Sequence, residues 1–444
     1  MTSIAPFEPK HAGSPPPLEP IDDGTTVAAV LTPLLHTLLG SAIPVRFVFW
    51  DRSAVGPVDS AGVIRVSSPN AIRRIMWAPG QLGIARAYVA GDLEIHGDIF
   101  DAIVALRDAT PTDLKFGPGL GRTALAAAHR LGVLGLPPPP PAEESSDHGR
   151  RHSIGRDARA IGHHYDVGND FYRLVLGPSM TYSCARFTDR VSDLAGAQQA
   201  KHELICRKLG LHRGPGRRLL DVGCGWGSLA LHAAGRHGAR VVGITISDAQ
   251  AQLARGRVAA AGLSGQIEIR LQDYRELADE TFDAVASVGM SEHVGEARLR
   301  TYFDTLHGVL TPGGRLLNHA ISSTGGSRLA RRSFAGRYVF PDGELVDVGT
   351  LQITMQRSGF EIRDVESLRE HYALTLRHWV ANLEVDWGHA VSLVGLGRAR
   401  VWHLYMAASA IGFEDAGLSI HQVLGVKTAA AGDSDMPHTR AGWN

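Results

Sequence analysis

Between residues 217 and 323 one pattern recurs. "RRLLDV", "ARVVGITI", "QIEIRLQ", "FDAVASV" and "GRLLNHAI" are apolar runs of strand length. Helical patterns follow them, as in "SLALHAAGRHG" and "DAQAQLARGRVAAAG". Apolar strands alternating with helices predict a parallel sheet covered on both faces, an α/β fold. A smaller α+β unit is predicted over 26–135, with helical "VAAVLTPLLHTLLG" and strand-like "VRFVFWD" and "VIRVSS". "LPPPPPAEESSDHGRR", residues 136–151, reads as a linker with a stiff proline run and a polar end. The second domain is expected over 152–427. Residues 1–25 and the tail 428–444 have the composition of disordered segments. No internal repeat is visible.

Composition narrows the class. A chain of 444 residues fits two to three domains. Lys+Arg and Asp+Glu are 45 each, so no wholesale attraction to nucleic acid is expected. The 21 histidines make the surface more basic as pH falls toward about 6. Cys184, Cys206 and Cys224 show no paired spacing. Neither a disulfide framework nor a metal site is expected, which fits a reducing cytosol. The N-terminus lacks the pattern of a signal peptide, and no apolar run is long enough to span a bilayer. Membrane contact would be peripheral.

In sheets of this kind ligands gather at the carboxyl ends of the strands. "LLDVGCGWGSLALHAA" is a strand, a turn and a helix, with Gly223, Gly225 and Gly227 in GxGxG spacing. Glycines allow a tight turn and close approach to a ligand, and the helix N-terminus favours an anionic group. A plain tight turn explains the same residues, so the pattern alone is weak. It is not the GxGxxG of dinucleotide-binding turns. The second strand ends in "GITISDAQ", offering Thr245, Ser247 and Gln250, and the third in "LQDYREL", offering Asp273 and Tyr274. Polar groups at three successive strand ends suit S-adenosylmethionine, whose amino acid, ribose and adenine spread across that edge. The fourth ends in "GMSEHVGE", with Glu292 and His293 adjacent. An acid/base pair, a metal site and an ordinary polar strand end all remain open there. In an extended chain His293 would point away from Glu292 and be structural, though a helical turn would change that.

In order, "HYDVGNDFYRLVLGPSMTYSCARF", "LLDVGCGWG", "GITISDAQ", "GMSEHVG" and "HYALTLRHW" resemble the cyclopropane-fatty-acyl-phospholipid synthase family over residues 150–427. "ARAYVAGDLEIHGD" in the first unit resembles the family's lipid-side domain only loosely. The resemblance implies a class I methyltransferase, Rossmann-like, with a seven-stranded mostly parallel sheet. It implies S-adenosylmethionine-dependent transfer of a methyl(ene) carbon to the cis double bond of a phospholipid acyl chain, through a carbocation. It also implies a bound bicarbonate as proton acceptor. Carried over residue by residue, its holders are Glu292, His319 in "LLNHAIS", Tyr372 in "EHYALTLRHW" and the backbone at Cys184. Ile321 follows His319 on the same strand face. An acid beside bicarbonate would be protonated or share a proton. The cofactor residues carried over are Tyr182, Ser183, Asp221, Gly223, Gly225 and Gly227, then Thr245, Ser247, Gln250, Asp273 and Tyr274. Blander readings stand beside these. His319 could be a satisfied core histidine, Tyr372 a helix cap, and Cys184 a small buried hydrophobe with no activating partner.

Ser291 departs from the aromatic or bulky apolar residue common in the family before the acid. That opens the product to two outcomes. A proton lost from the added methyl closes a cyclopropane ring, the outcome slightly favoured. A proton lost from a chain carbon leaves a methylene for a partner reductase, on the way to a mid-chain methyl branch. Two rival classes are a soluble small-molecule methyltransferase and a non-catalytic lipid-binding protein. "LTLRHWVANLEVDW" and "RARVWHLYMAASAIGF" argue instead for a large apolar pocket. The expected location is cytoplasmic and peripheral at the inner membrane face, with a homodimer left open. "HGRRHSIGRDARAIGHH" could meet anionic head groups, although a solvated linker end is the commoner fate of such runs.

Overall fold

The computed structural model describes residues 25–111, 117–145, 167–277, 280–324, 333–340 and 343–443. The expected disorder of the first 24 residues and the basic run at 148–164 lie outside them. The chain divides into two compact units.

The first unit holds a four-stranded sheet of β1 (Arg46–Val48), β2 (Ala54–Val55), β3 (Val63–Val66) and β4 (Leu93–His96), in the order β2-β1-β3-β4. The helix Val27–Leu39 starts where Thr26 accepts from the Ala29 amide. It buries Val27, Val30 and Leu31 in a core with Phe47, Ile64 and Tyr88. "VRFVFWD" is strand only over its first residues, because the chain turns at Arg52, which takes φ +68°. This unit also takes in residues 384–411, expected in the methyltransferase domain, and 332–339. Within it His403 is held between the Tyr88 hydroxyl and Glu384, at 2.8 Å each. The described part of the expected linker is anchored. The Glu144 carboxylate takes two 2.7 Å hydrogen bonds from Arg86 and others from Arg337 and Tyr338.

The second unit is built on β5 (Arg218–Val222), β6 (Arg240–Thr245), β7 (Ile267–Leu271), β8 (Phe282–Val288), β9 (Leu310–Ser323), β10 (Glu361–Ser367) and β11 (Leu418–Val426). Their order is β10-β11-β9-β8-β5-β6-β7. β5 to β9 run parallel, and β11 is antiparallel to both neighbours. The sheet is therefore seven-stranded and mostly parallel, as expected. Alternation sorts its side chains by face. Leu219, Ala286, Leu317 and Leu424 pack with Leu204 and Ile205 of the helix Leu194–Lys208 and with Ala230 and Ala233 of the helix Ser228–His237. Leu220, Val285, Leu316 and Val423 face Tyr302, Phe303 and Leu306 of the helix Leu299–Gly308. The first face also carries three polar residues. Asp221 is opposite Ala286, His319 is opposite Val288 on β8, and Gln422 is opposite His319 on β11. Among the described residues no helix is long and apolar enough to cross a membrane.

The tail expected to be disordered packs instead. Arg440 donates to the buried Asp364 at 2.6 Å, and the Lys208 amine sits 5.8 Å from the Trp443 ring centroid. Trp443 is 6% exposed and joins the core of the first face. Its late apolar ring was masked by a polar, Gly- and Pro-containing neighbourhood. Trp443→Ala should cost about 3 kcal/mol of stability, as removal of a buried indole does. Urea denaturation followed by circular dichroism measures it, and an unchanged midpoint would return the tail to the disordered class.

Candidate active site

The glycine turn comes first, because it fixes the cleft. Gly223, Gly225 and Gly227 have φ of +74°, +54° and +78°, the left-handed region that other residues resist. The amides of Gly223 and Cys224 both donate to the Ile244 carbonyl at 2.9 Å, tying the turn to the end of β6. A Cβ on Gly223 would lie 3.3 Å from the Met290 sulfur.

Around this turn lies a cleft with about 960 Å³ of non-atom space, its open mouth included. Of the residues expected to hold a cofactor, Gly223, Gly225 and Asp221 line it at the end of β5. Thr245 and Gln250 line it after β6, and Asp273 and Tyr274 after β7. Tyr182 and Ser183 complete the wall. Gly227 and Ser247 do not line it. Gly227 packs against Ala254, where an added Cβ would come within 3.3 Å. Ser247 caps the helix Asp248–Ala260 through the Gln250 amide. Their roles are in shaping the turns.

The cleft includes residues that sequence reasoning missed. Lys201 lines it, 1% exposed, and its amine donates to the Ser183 hydroxyl at 2.9 Å. Burial lowers the Lys201 amine to about 8, and burial raises the Asp221 carboxyl to about 7. A signal was available: buried Ala197, Gln198, Leu204 and Ile205 flank Lys201 at helical spacing, so this lysine sits in the apolar stripe. Trp226 also lines the cleft, its indole donating to Asn169 at 2.8 Å. His293 is a correction. The chain there is not extended but one helical turn, Ser291–Val294, and His293 reaches the cleft wall. Burial lowers its imidazole to about 4.

The residues expected to do chemistry lie outside the cleft lining, and of them Glu292 and Cys184 adjoin it along the chain. Glu292 follows Gly289 and Met290, which line the cleft. Its Oε1 accepts from the Ile321 amide at 2.7 Å. Its Oε2 is buried and has no hydrogen-bond partner among the described residues. Burial raises the carboxyl to about 7, against the pull of the Ile321 amide, its own amide and Ser291. His319 lies inside β9 rather than at its end, 1% exposed. Its Nδ1 meets the Gln422 side-chain amide at 3.1 Å. With the amide nitrogen placed there as donor, Nδ1 accepts and Nε2 carries the proton. That Nε2 is buried without a partner among the described residues. Burial, with Lys201 and Lys208 adding to it, holds the imidazole well below its usual range and so neutral. The expected Glu292–His319 pair is not joined by a hydrogen bond. The acid meets β9 through the main chain of Ile321.

Tyr372 and Cys184 belong to the wall of the same unit. Tyr372 is 6% exposed, with its ring 4.7 Å from Phe413 and 6.0 Å from Trp379. Trp379 stacks on the cleft residue Tyr182 at 5.2 Å. An aromatic row thus leads from the cleft to Tyr372. Cys184 is fully buried, its thiol 3.1 Å from the Ala185 carbonyl and 3.6 Å from that of Leu368. Burial pushes the thiol up, so it is no nucleophile.

Four likenesses, to one family and three known proteins, bear on this site. The sequence model of the family described as "Mycolic acid cyclopropane synthetase" matches residues 152–423. A probable fatty acid methyltransferase of Mycobacterium tuberculosis (strain ATCC 25618 / H37Rv) is 43% identical over 406 residues, covering 89% of this chain and 93% of that protein. The cyclopropane-fatty-acyl-phospholipid synthase of Escherichia coli (strain K12) is 33% identical over 388 residues, 84% of this chain and 93% of its own. Among solved structures, mycolic acid cyclopropane synthase CmaA1 complexed with SAH and CTAB aligns with a TM-score of 0.58 at 32% identity, covering 63% of this chain and all of its own.

The turn's geometry yields a direct test. Gly223→Ala adds a side chain at φ +74° and crowds Met290. Calorimetry should show S-adenosylhomocysteine binding weakened by at least about tenfold, the equivalent of about 1.4 kcal/mol. Unchanged affinity would mean that the ligand does not approach this turn.

Proposed function

Because this chain belongs to the mycolic acid cyclopropane synthetase family, and is thus an S-adenosylmethionine-dependent methyltransferase acting on lipids, we propose that it adds one carbon to the cis double bond of an unsaturated fatty acyl chain of a phospholipid, giving a cyclopropane. Membership sets aside the two rival classes weighed above. The observation that carries the chemistry is a pair of buried atoms at adjoining elements, Glu292 Oε2 and His319 Nε2, without hydrogen-bond partners among the described residues.

An isolated alkene is a weak nucleophile, and S-adenosylmethionine supplies an electrophilic methyl on its sulfonium. The alkene's π electrons form the new carbon–carbon bond as the sulfonium carbon–sulfur bond breaks, leaving a cation on the acyl chain. The aromatic row of Tyr182, Trp379 and Tyr372 supplies π faces for that cation. Water must be absent or it captures the cation, and the buried wall of Trp379, Tyr372 and Phe413 excludes it. One proton must then leave. The orphaned atoms fit a small oxyanion with a hydroxyl: Glu292 Oε2 accepts, and the His319 Nε2 proton is donated. Bicarbonate is such an ion, and when bound it would supply the proton acceptor. The Ile321 amide favours the ionised form of Glu292, in which Oε2 is an acceptor. Loss of the proton from the added methyl closes the ring with the electrons of that C–H bond. The substrate reading puts the enzyme at the inner face of a membrane, where acyl chains and S-adenosylmethionine meet.

A second reading has its own support. Ser291, 3% exposed, places a hydroxyl beside Glu292. A polar wall there changes which proton lies nearest the acceptor. Loss from a chain carbon would leave a methylene branch, which a partner reductase would saturate. The Mycobacterium relative's description as a fatty acid methyltransferase favours this outcome.

Vesicles of oleoyl phospholipid with the cofactor should yield an acyl chain heavier by one CH₂ that resists catalytic hydrogenation. A product that takes up hydrogen replaces the ring with the methylene. The acid has its own test. Glu292 titrates at about 7, so kcat should rise from about pH 6 to about pH 8 as the carboxylate forms. Glu292→Gln presents a donor where an acceptor is needed. It should lower kcat by about a hundredfold and remove that rise, while S-adenosylhomocysteine still binds. Unchanged turnover in this variant would remove Glu292 from the site.

A further inference from the structure

Behind the cofactor cleft, on two helices of the same unit, sits a cluster that the reaction does not use. Cys206, His232 and His237 each bring one ligand atom within 4.8 Å of the others. Glu203 stands among them. Its Oε2 is 3.1 Å from His232 Nε2 and 2.9 Å from His237 Nε2. Its Oε1 accepts from Arg207 at 2.7 Å, which orients the carboxylate. Glu203 and Cys206 are three residues apart on the helix Leu194–Lys208, hence on one face. His232 and His237 come from the helix Ser228–His237. Cys206 is fully buried, and the two imidazoles are 12% and 10% exposed.

One thiol, two imidazoles and one carboxylate are the donor set of a tetrahedral divalent ion of intermediate softness. We propose that Cys206, His232, His237 and Glu203 form a zinc-type site that clamps the two helices together. Zinc bonds of about 2.3 Å to sulfur and about 2.0 Å to nitrogen put ligand atoms roughly 3.5 Å apart. The thiol and the two imidazoles need close by only about 1 Å, within the reach of side-chain torsions, and the Glu203 oxygen already stands 3.1 and 2.9 Å from the imidazole nitrogens. On binding, the Cys206 thiol gives its proton to solvent and its sulfur bonds the metal as thiolate. Both helices contribute to the cleft, Lys201 and His202 from one and Ser228 and Leu229 from the other. The clamp therefore sets the spacing of one cleft wall. Sequence spacing hid this site because no two ligands form a CxxC or HxxxH pair; they meet only when the helices pack.

The test uses the full chain, stripped with a chelator and desalted. Zinc titrated by calorimetry should bind at one equivalent and raise the melting temperature, since it binds the folded state. Cobalt in its place should show tetrahedral visible bands and a thiolate-to-cobalt band in the near ultraviolet. Cys206→Ser should lose that band, and His237→Ala should weaken affinity by more than the roughly 10–100-fold typical of changes around a metal site. Far-ultraviolet circular dichroism checks that the variants fold, and the wild-type spectrum decides alone if they do not. No stoichiometric metal after desalting, or a cobalt spectrum without the thiolate band, overturns the site. Neither readout depends on methyl transfer, so its failure leaves the proposed function standing.

Discussion

The Ile321 amide donates to Glu292 Oε1 at 2.7 Å, and this bond sets where the acid can point. It joins the turn after β8 to the last residues of β9, two strands already held by the pairing of Val288 with His319. A one-residue slip of β9 would turn His319 to the other face and take Ile321 out of reach. With Oε1 fixed, Oε2 is left in a dry interior. That dryness explains the electrostatics. It raises Glu292 toward neutrality and keeps His319 neutral. The acid is thus poised to change charge near neutral pH, while the imidazole stays uncharged.

The same logic appears at Asp221 and Lys201. Burial moves the acid up to about 7 and the amine down to about 8, so each is drawn toward its uncharged form; their mutual attraction opposes this, with Cys184 also raising the amine. Such a pair costs stability when empty. A ligand end that carries both an ammonium and a carboxylate would satisfy both.

The sheet was legible because its central strands are buried on both faces and read as unbroken apolar runs. The turn was legible because Gly223, Gly225 and Gly227 need a backbone that other residues resist. What escaped depends on distant contacts. Nothing local says that residues 384–411 pack with the first unit, because the partners of His403 and Arg400, Tyr88 and Glu94, lie some three hundred positions away. Trp443 hides in a polar tail, and its burial comes from Lys208, Arg440 and Asp364. Lys201 passed unremarked, because a lone lysine on a helix shows its burial only through the core residues around it. His293 was misread through one backbone assumption, since a single helical turn replaces the extended chain.

That turn lets three neighbouring side chains serve three different places. In a helix successive side chains are about 100° apart, so three consecutive residues look in three directions. Ser291 is buried beside the acid, Glu292 faces β9, and His293 faces the cofactor cleft. An extended chain could offer only two directions, and one of the three groups would lose its place. Gly289 at φ +66° and Gly295 at φ +79° permit the chain to enter and leave so short a helix. The adjacency of an acid and an imidazole in "SEHV" is therefore not a catalytic pair. It is the means by which four residues connect the cleft of the glycine turn to the acid that bonds β9.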